Sequence, residues 1–355
     1  MSDEINDTRT DKEFRGITFS KFQMSKVKAE LLNNLLKGKI ENSCYWGAEL
    51  ICSGHYMELW EIILLFCSKH IHIGNAKLPL YIDMRFDNFK QLVSSGYIGQ
   101  ELSLRNNDKM RRLFTELLCI LCLSEKKHSF QPIKVGKEDF DMTVLAEKLK
   151  APSVSYVQAI FVRGDPKELY ISLNELTYCL ESKNSIGVCY WIEWILEFDT
   201  RCKKRKEKCE CDRREFAKVD SKYQKELIWL VWHALLDATK NYDNLPKKVM
   251  KSLLNLYCLR FTPSAIKRRK YLLYFASSLC CETINFNKEI VNDKKVVDNV
   301  CNKIDLIYKQ LKKNEISPET DYLFNNKITG KTNLQKTVDK LDKISQMGDM
   351  IIRTE

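Results

Sequence analysis

Thiols, imidazoles, carboxylates and phosphate-binding loops are the groups that could do chemistry in this chain. Cys202, Cys209 and Cys211 lie in RCKKRKEKCECDRRE, a C-x6-C-x-C spacing. Zinc sites draw thiolate pairs from tighter C-x2–4-C turns, so the stretch reads as a solvated basic loop with free thiols, and no metal site is expected. Cys119 and Cys122 do form C-x2-C, but within LLCILCL, where a spacing of three puts both on one buried helix face. His70-x-His72 follows an apolar helix with no carboxylate run nearby. Thr329-Gly330-Lys331-Thr332 ends like a phosphate-binding loop, yet the glycine required five residues earlier is Asn325. Five histidines without a nucleophile elbow yield no Cys–His or Ser–His–Asp set. Glu49, Glu58 and Glu61 read as decoration of a polar helix face. The expectation is a non-enzymatic chain with no catalytic residues and no cofactor.

Charge is the stronger signal. The 355 residues carry a formal net charge of +11. Residues 247–270 hold Lys247, Lys248, Lys251, Arg260, Lys267, Arg268, Arg269 and Lys270 with no acid, and residues 201–218 hold nine bases against four acids. Phosphate binding grows with the number of cations brought together. A nucleic-acid-binding surface is therefore expected at Lys203, Lys204, Arg205, Lys206, Lys247, Lys248, Lys251, Lys267, Arg268, Arg269 and Lys270. The competing expectation is a solvated helix face with a basic loop. All six tryptophans, at 46, 60, 191, 194, 229 and 232, sit in amphipathic stretches; core packing is expected of them ahead of base stacking.

The elements that must position these groups read as helices. Gly (12) and Pro (7) are scarce, which excludes turn-rich β folds and collagenous or disordered chains. Apolar residues recur at helical spacing from Val27, through 44–72, 109–123, 166–198, 221–241, 246–260 and 266–282, with weaker helices at 289–313 and 332–347. Gly74 and Pro79 are expected to end the second block, while Pro166 and Pro246 suit first-turn positions. No stretch alternates with period two, so the fold class is all-α. The expected organisation is a polar arm (1–22), a helical domain (23–130), a connecting segment (131–165), a second helical domain with the basic patch (166–283) and a polar, loosely packed C-terminal helical tail (284–355). Cys44-Tyr45-Trp46 returns as Cys189-Tyr190-Trp191, and LFTELLCILCL (113–123) is echoed by KSLLNLYCLRF (251–261), suggesting tandem duplication of one domain.

The longest apolar runs, Ile62–Cys67 and Ile228–Trp232, fall short of the roughly 18 residues a membrane span needs. The start, MSDEINDTRTDKEFR, lacks the apolar stretch of a secretory signal. Fourteen cysteines in this length are too sparse for a disulfide scaffold and read as free thiols of a reducing compartment. The expectation is a chain that is neither secreted nor held in a membrane.

The run CYWGAELICSGHYMELWEIILLFCSKHIHIGNAKLPLY, together with KNSIGVCYWIEWILEFD, resembles an uncharacterised family of nucleocytoplasmic large DNA viruses, over about residues 25–285. That resemblance implies a context without a mechanism: the host cytoplasm, in the viral factory, or the virion. Tyr45, Trp46, Ser53, Gly54, Ile73, Gly74, Ala76 and Pro79, with Ser124–Ser129 beyond them, more remotely resemble the helical collar domain of clamp-loader ATPases, which assembles subunits. The ATPase module of that family has no counterpart here. The resemblances imply a non-catalytic scaffold or adaptor that binds viral proteins, with DNA or RNA as a further partner, in replication, transcription or packaging. A minor structural protein cementing the virion is the alternative, and self-association is compatible with either.

Overall fold

The computed structural model describes residues 3–316. The all-α expectation holds. Among the described residues the only β interaction is an isolated antiparallel bridge between Ile17 and Gln23. The α-helices are α1 (Met24–Leu36), α2 (Ile40–Cys52), α3 (Tyr56–Phe66), α4 (Leu78–Ser94), α5 (Asp108–Leu123), α6 (Met142–Lys148), α7 (Tyr170–Glu181), α8 (Ser185–Arg205), α9 (Ile228–Ala238), α10 (Asn244–Cys258), α11 (Ala265–Arg268), α12 (Lys270–Cys281), α13 (Lys294–Lys303) and α14 (Asp305–Lys312). None is long and apolar enough to cross a membrane.

The first half is built round α5. Its N-terminus is capped by the Asn107 side chain, which accepts from the Met110 amide at 3.1 Å. Leu113, Phe114, Leu117, Leu118, Cys119, Ile120, Leu121 and Cys122 are all buried, so α5 is apolar over most of its circumference and must be covered on several sides. α1, α2, α3 and α4 provide that cover, and α13 packs on α5 from the C-terminal end of the chain. In the second half α7, α8, α9 and α12 pack together. Trp60, Trp229 and Trp232 are completely buried and Trp191 and Trp194 nearly so, as expected, whereas Trp46 is only partly buried against the core.

The halves share a seam. α4 lies along α10, where Asn255 donates to Asp83 at 2.9 Å, and α12 lies against α3 and the turn after it. The echoed segments do not pack alike: α5 lies against α2, whereas the main neighbour of α10 is α4. The packing lends the tandem duplication no support.

Local expectations fail in instructive places. Pro79 begins a helix rather than closing one, because α4 uses it in the first turn, where an N–H would be orphaned anyway. Gly74 serves close approach: a Cβ there would stand 2.5 Å from the Glu125 carbonyl oxygen. The stretch expected as a polar arm buries Ile5, Phe14 and Phe19. The C-terminal helices do not pack loosely either, since α14 lies on α2 with Tyr308 and Leu311 buried. The helix expected at 332–347 and the Thr329–Thr332 fragment lie outside the described residues.

Candidate polyanion interface

The basic residues nominated from sequence separate into three sets. One set converges. α8 ends in Lys203, Lys204 and Arg205, with Lys206 beyond it in the left-handed region at φ 60° and ψ 26°. Lys203 and Lys204 share a surface cleft of about 430 Å³ with Lys267, alongside Leu196, Asp199, Thr200, Pro263, Ser264 and Ile266. Lys204 also borders a neighbouring cleft of about 450 Å³, with Lys137, Arg201, Arg205, Glu197, Val135 and Gly136. Six cations and two carboxylates thus face one region, drawn from sequence positions 137, 201–205 and 267. Basic side chains at a helix C-terminus complement its dipole in any protein; the arrival of Lys137 and Lys267 from other segments is what that rule does not supply.

Packing fixes this region. The 136–140 segment is held on α8 by Trp194, whose Nε1 donates to the Asp139 carbonyl at 3.0 Å, and by the Phe140 ring stacked on Trp194 at 4.6 Å. The Arg201 guanidinium lies 4.0 Å over Phe140 and donates to the Gly136 carbonyl at 3.0 Å. Lys203 is committed to acids, donating to Asp199 at 2.7 Å and to Glu226 at 2.9 Å. Partial burial opposes its charge, but those two bonds prevail and raise its pKa. Among the described residues Lys204, Lys206 and Lys267 form no ion pair and are exposed, while Arg205 has only Glu207 at 3.6 Å.

A second set is structural, which corrects its nomination. Arg269 is 4% exposed and donates to Glu61 at 2.6 Å and to the Tyr257 carbonyl at 2.7 Å. Lys270 is half-buried and donates to Glu193 at 2.8 Å. Arg268 is exposed yet leans toward Glu61 at 3.9 Å. Four consecutive cations face different ways because α11 and α12 meet there, and only Lys267 points to the α8 clefts. The third set, Lys247, Lys248 and Lys251, is exposed on α10 but lines neither cleft.

The carboxylates also divide. Glu49 is fully buried and accepts from the Ser20 amide at 3.0 Å, fastening the N-terminal segment, while Glu61 holds Arg269. Neither decorates a polar face. Glu58 lines a cleft of about 870 Å³ at the seam between the halves. There Asp11, Glu58, Asp83, Asp87 and Glu101 face Lys90, Lys218 and Arg260 over a floor that includes Tyr56, Phe86 and Phe89. Burial raises the pKa of Asp83 against the hydrogen bond from Asn255.

The histidine and cysteine groupings differ from their sequence spacing. His70 meets His128, Nδ1 to Nδ1 at 3.2 Å, rather than His72. His72 is buried against Phe275, ring centroids 5.0 Å apart. Cys202 and Cys209 bring their sulfurs to 2.8 Å, whereas Cys211 turns to the Glu226 carbonyl. Arg201 and Lys137 were not nominated; Arg201 lay within the basic run, whereas nothing local distinguished Lys137. Comparison with protein-family models, curated proteins and solved structures finds no match to this chain.

Proposed function

We propose that this chain is a non-catalytic helical scaffold or adaptor of a large DNA virus, which holds protein partners near nucleic acid and touches phosphates through the α8 basic region. The observation that carries this reading is the meeting of Lys203 and Lys204 with Lys267, some sixty residues apart in sequence, round one cleft, with Lys137, Arg201 and Arg205 beside it. The viral context rests on the resemblance carried by residues 44–81 and 183–199, and the assembly role on the collar-like helix–break–helix of residues 45–79. The shallow, open, positively charged form of the region suits a phosphate backbone, which is gripped by charge rather than enclosed.

The test is binding of fluorescently labelled single- and double-stranded oligonucleotides across a salt series. The double variant Lys204→Glu/Lys267→Glu should bind more weakly than the parent. Its slope of log affinity against log salt should be shallower by roughly 1.4–1.8, from two lost phosphate contacts at about 0.7–0.9 each. A charge-reversed Lys247/Lys248/Lys251 variant should bind almost as the parent does. Parent-like affinity and slope in the double variant would remove the α8 region from consideration.

A further inference from the structure

The turn after α8 builds a second chemical feature. Lys206 at φ 60° reverses the chain: its amide donates to the Lys203 carbonyl at 3.2 Å, and the Glu207 amide donates to the Cys202 carbonyl at 3.0 Å. This is the Schellman pattern of helix ends, in which one residue in the left-handed region folds the following two back over the last helical turn. The Cys209 amide then donates to the Glu207 carbonyl at 3.1 Å, tightening the return. Cys209 Sγ consequently stands 2.8 Å from Cys202 Sγ, and a Glu207 carboxylate oxygen joins them, all three donor atoms lying within 4.8 Å of one another. Spacing alone hides this, because C-x6-C is too wide for one tight turn unless a helix end lies inside it.

We propose that Cys202, Glu207 and Cys209 form a binding site for a soft divalent cation, zinc being the fitting choice. Ligands sharing one tetrahedral zinc at about 2.0–2.3 Å stand roughly 3.5–3.8 Å apart, so this cluster needs only small side-chain rotations to close on an ion. At 2.8 Å the two sulfurs stand between the geometry of a covalent bond and that of a shared cation, so the pair must either close to a bond or open by about 1 Å round an ion. The nearby Glu207 oxygen offers a cation a third donor, which a disulfide would not use, and its exposed 3.6 Å pairing with Arg205 is loose enough to yield to an ion. Charge agrees: two thiolates and a carboxylate round a divalent ion leave a net negative centre, which Arg205, 3.6 Å from Glu207, offsets. Cys202 is 3% exposed and Glu207 is exposed, giving the ion a buried anchor and an open approach, with solvent completing the coordination. The ion would pin the turn that carries Lys203–Lys206. The site does not depend on those lysines binding nucleic acid.

The experiment uses the full chain, purified under a phosphine reductant. It is titrated with zinc while native mass is recorded, and with cobalt while thiolate-to-metal charge-transfer absorption is recorded. One ion per chain is expected, with Cys209, the accessible thiol of the pair, shielded from maleimide alkylation when zinc is present, as mapped by peptide mass. Cys202→Ser and Cys209→Ser should each weaken binding by more than about a hundredfold, beyond the usual cost of losing an outer-shell partner. Glu207→Gln should weaken it less, and Cys211→Ser should leave it unchanged, with circular dichroism melts confirming that each variant folds. The proposal is overturned if the reduced chain binds no zinc, if both serine variants bind like the parent, or if zinc fails to shield Cys209. A bond between Cys202 and Cys209 that persists in the reductant would overturn it too, in favour of a structural disulfide.

Discussion

Single side chains here follow their surroundings more than their type. Arg111, on α5, is 1% exposed, donates to the Arg105 carbonyl at 2.7 Å and to Asp3 at 2.5 Å, and lies 3.9 Å over the Tyr308 ring. A cation so placed is a joint between distant segments rather than a ligand contact. His72 shows the same principle for an imidazole. Burial, opposed by a backbone hydrogen bond at Tyr274, pushes its pKa down to about 4 from an ordinary 6.5. A folded-state value below the unfolded one means the native state resists protonation. Stability is therefore complete above pH 6.5 and drains away as pH falls from 6.5 toward 4. Urea unfolding across that interval should show the loss. His72→Asn, which tolerates the positive φ of 49° here, should flatten this part of the profile; an unchanged profile would assign the loss to other groups.

At the scale of elements, helix ends and helix junctions carry the consequences. The left-handed Lys206 ends α8 and folds Glu207 and Cys209 over it, so a cap decides where the cluster forms. The junction of α11 and α12 sends Lys267 outward and Arg269 inward, where Arg269 ties α3 to α10 through Glu61 and the Tyr257 carbonyl. Arg269→Met should lower the unfolding free energy by about 2–4 kcal/mol, because it strands a partly buried carboxylate and a buried carbonyl. Lys204→Glu/Lys267→Glu should change it by no more than about 0.5 kcal/mol per site. Denaturant titration of both variants separates the latch from the surface, and equal losses would contradict the division.

For the described residues as a whole, the segments at 5–19 and 305–316 close over the first half. Thr8 and Ile316 share a backbone hydrogen bond at 3.0 Å, Asp7 accepts from the Ile316 amide at 2.9 Å, and α14 seals α2 with Tyr308 and Leu311. Of the tail expected at 284–355, helices α13 and α14 are part of the first half's core. Tyr308→Ala should cost about 3–5 kcal/mol, the range for emptying a large aromatic from a packed interior. It should also lower the melting temperature of the full chain; a loss under about 1 kcal/mol would mean that α14 rests on α2 without supporting it.

Local pattern was enough to establish the helical class, most helix positions, the burial of five of the six tryptophans and the charge density near 203 and 267. These features depend on residue periodicity and composition within a turn or two of the chain. Helix α4 escaped because a proline reads as a stop unless its place within the first turn is known. The division of Lys267 from Arg269, the arrival of Lys137 beside α8, the partners of Glu49 and Glu61, and the pairing of His70 with His128 rest on contacts between remote segments. Only tertiary packing decided those, because whether a charge meets solvent or a buried acid depends on which helix lies across from it.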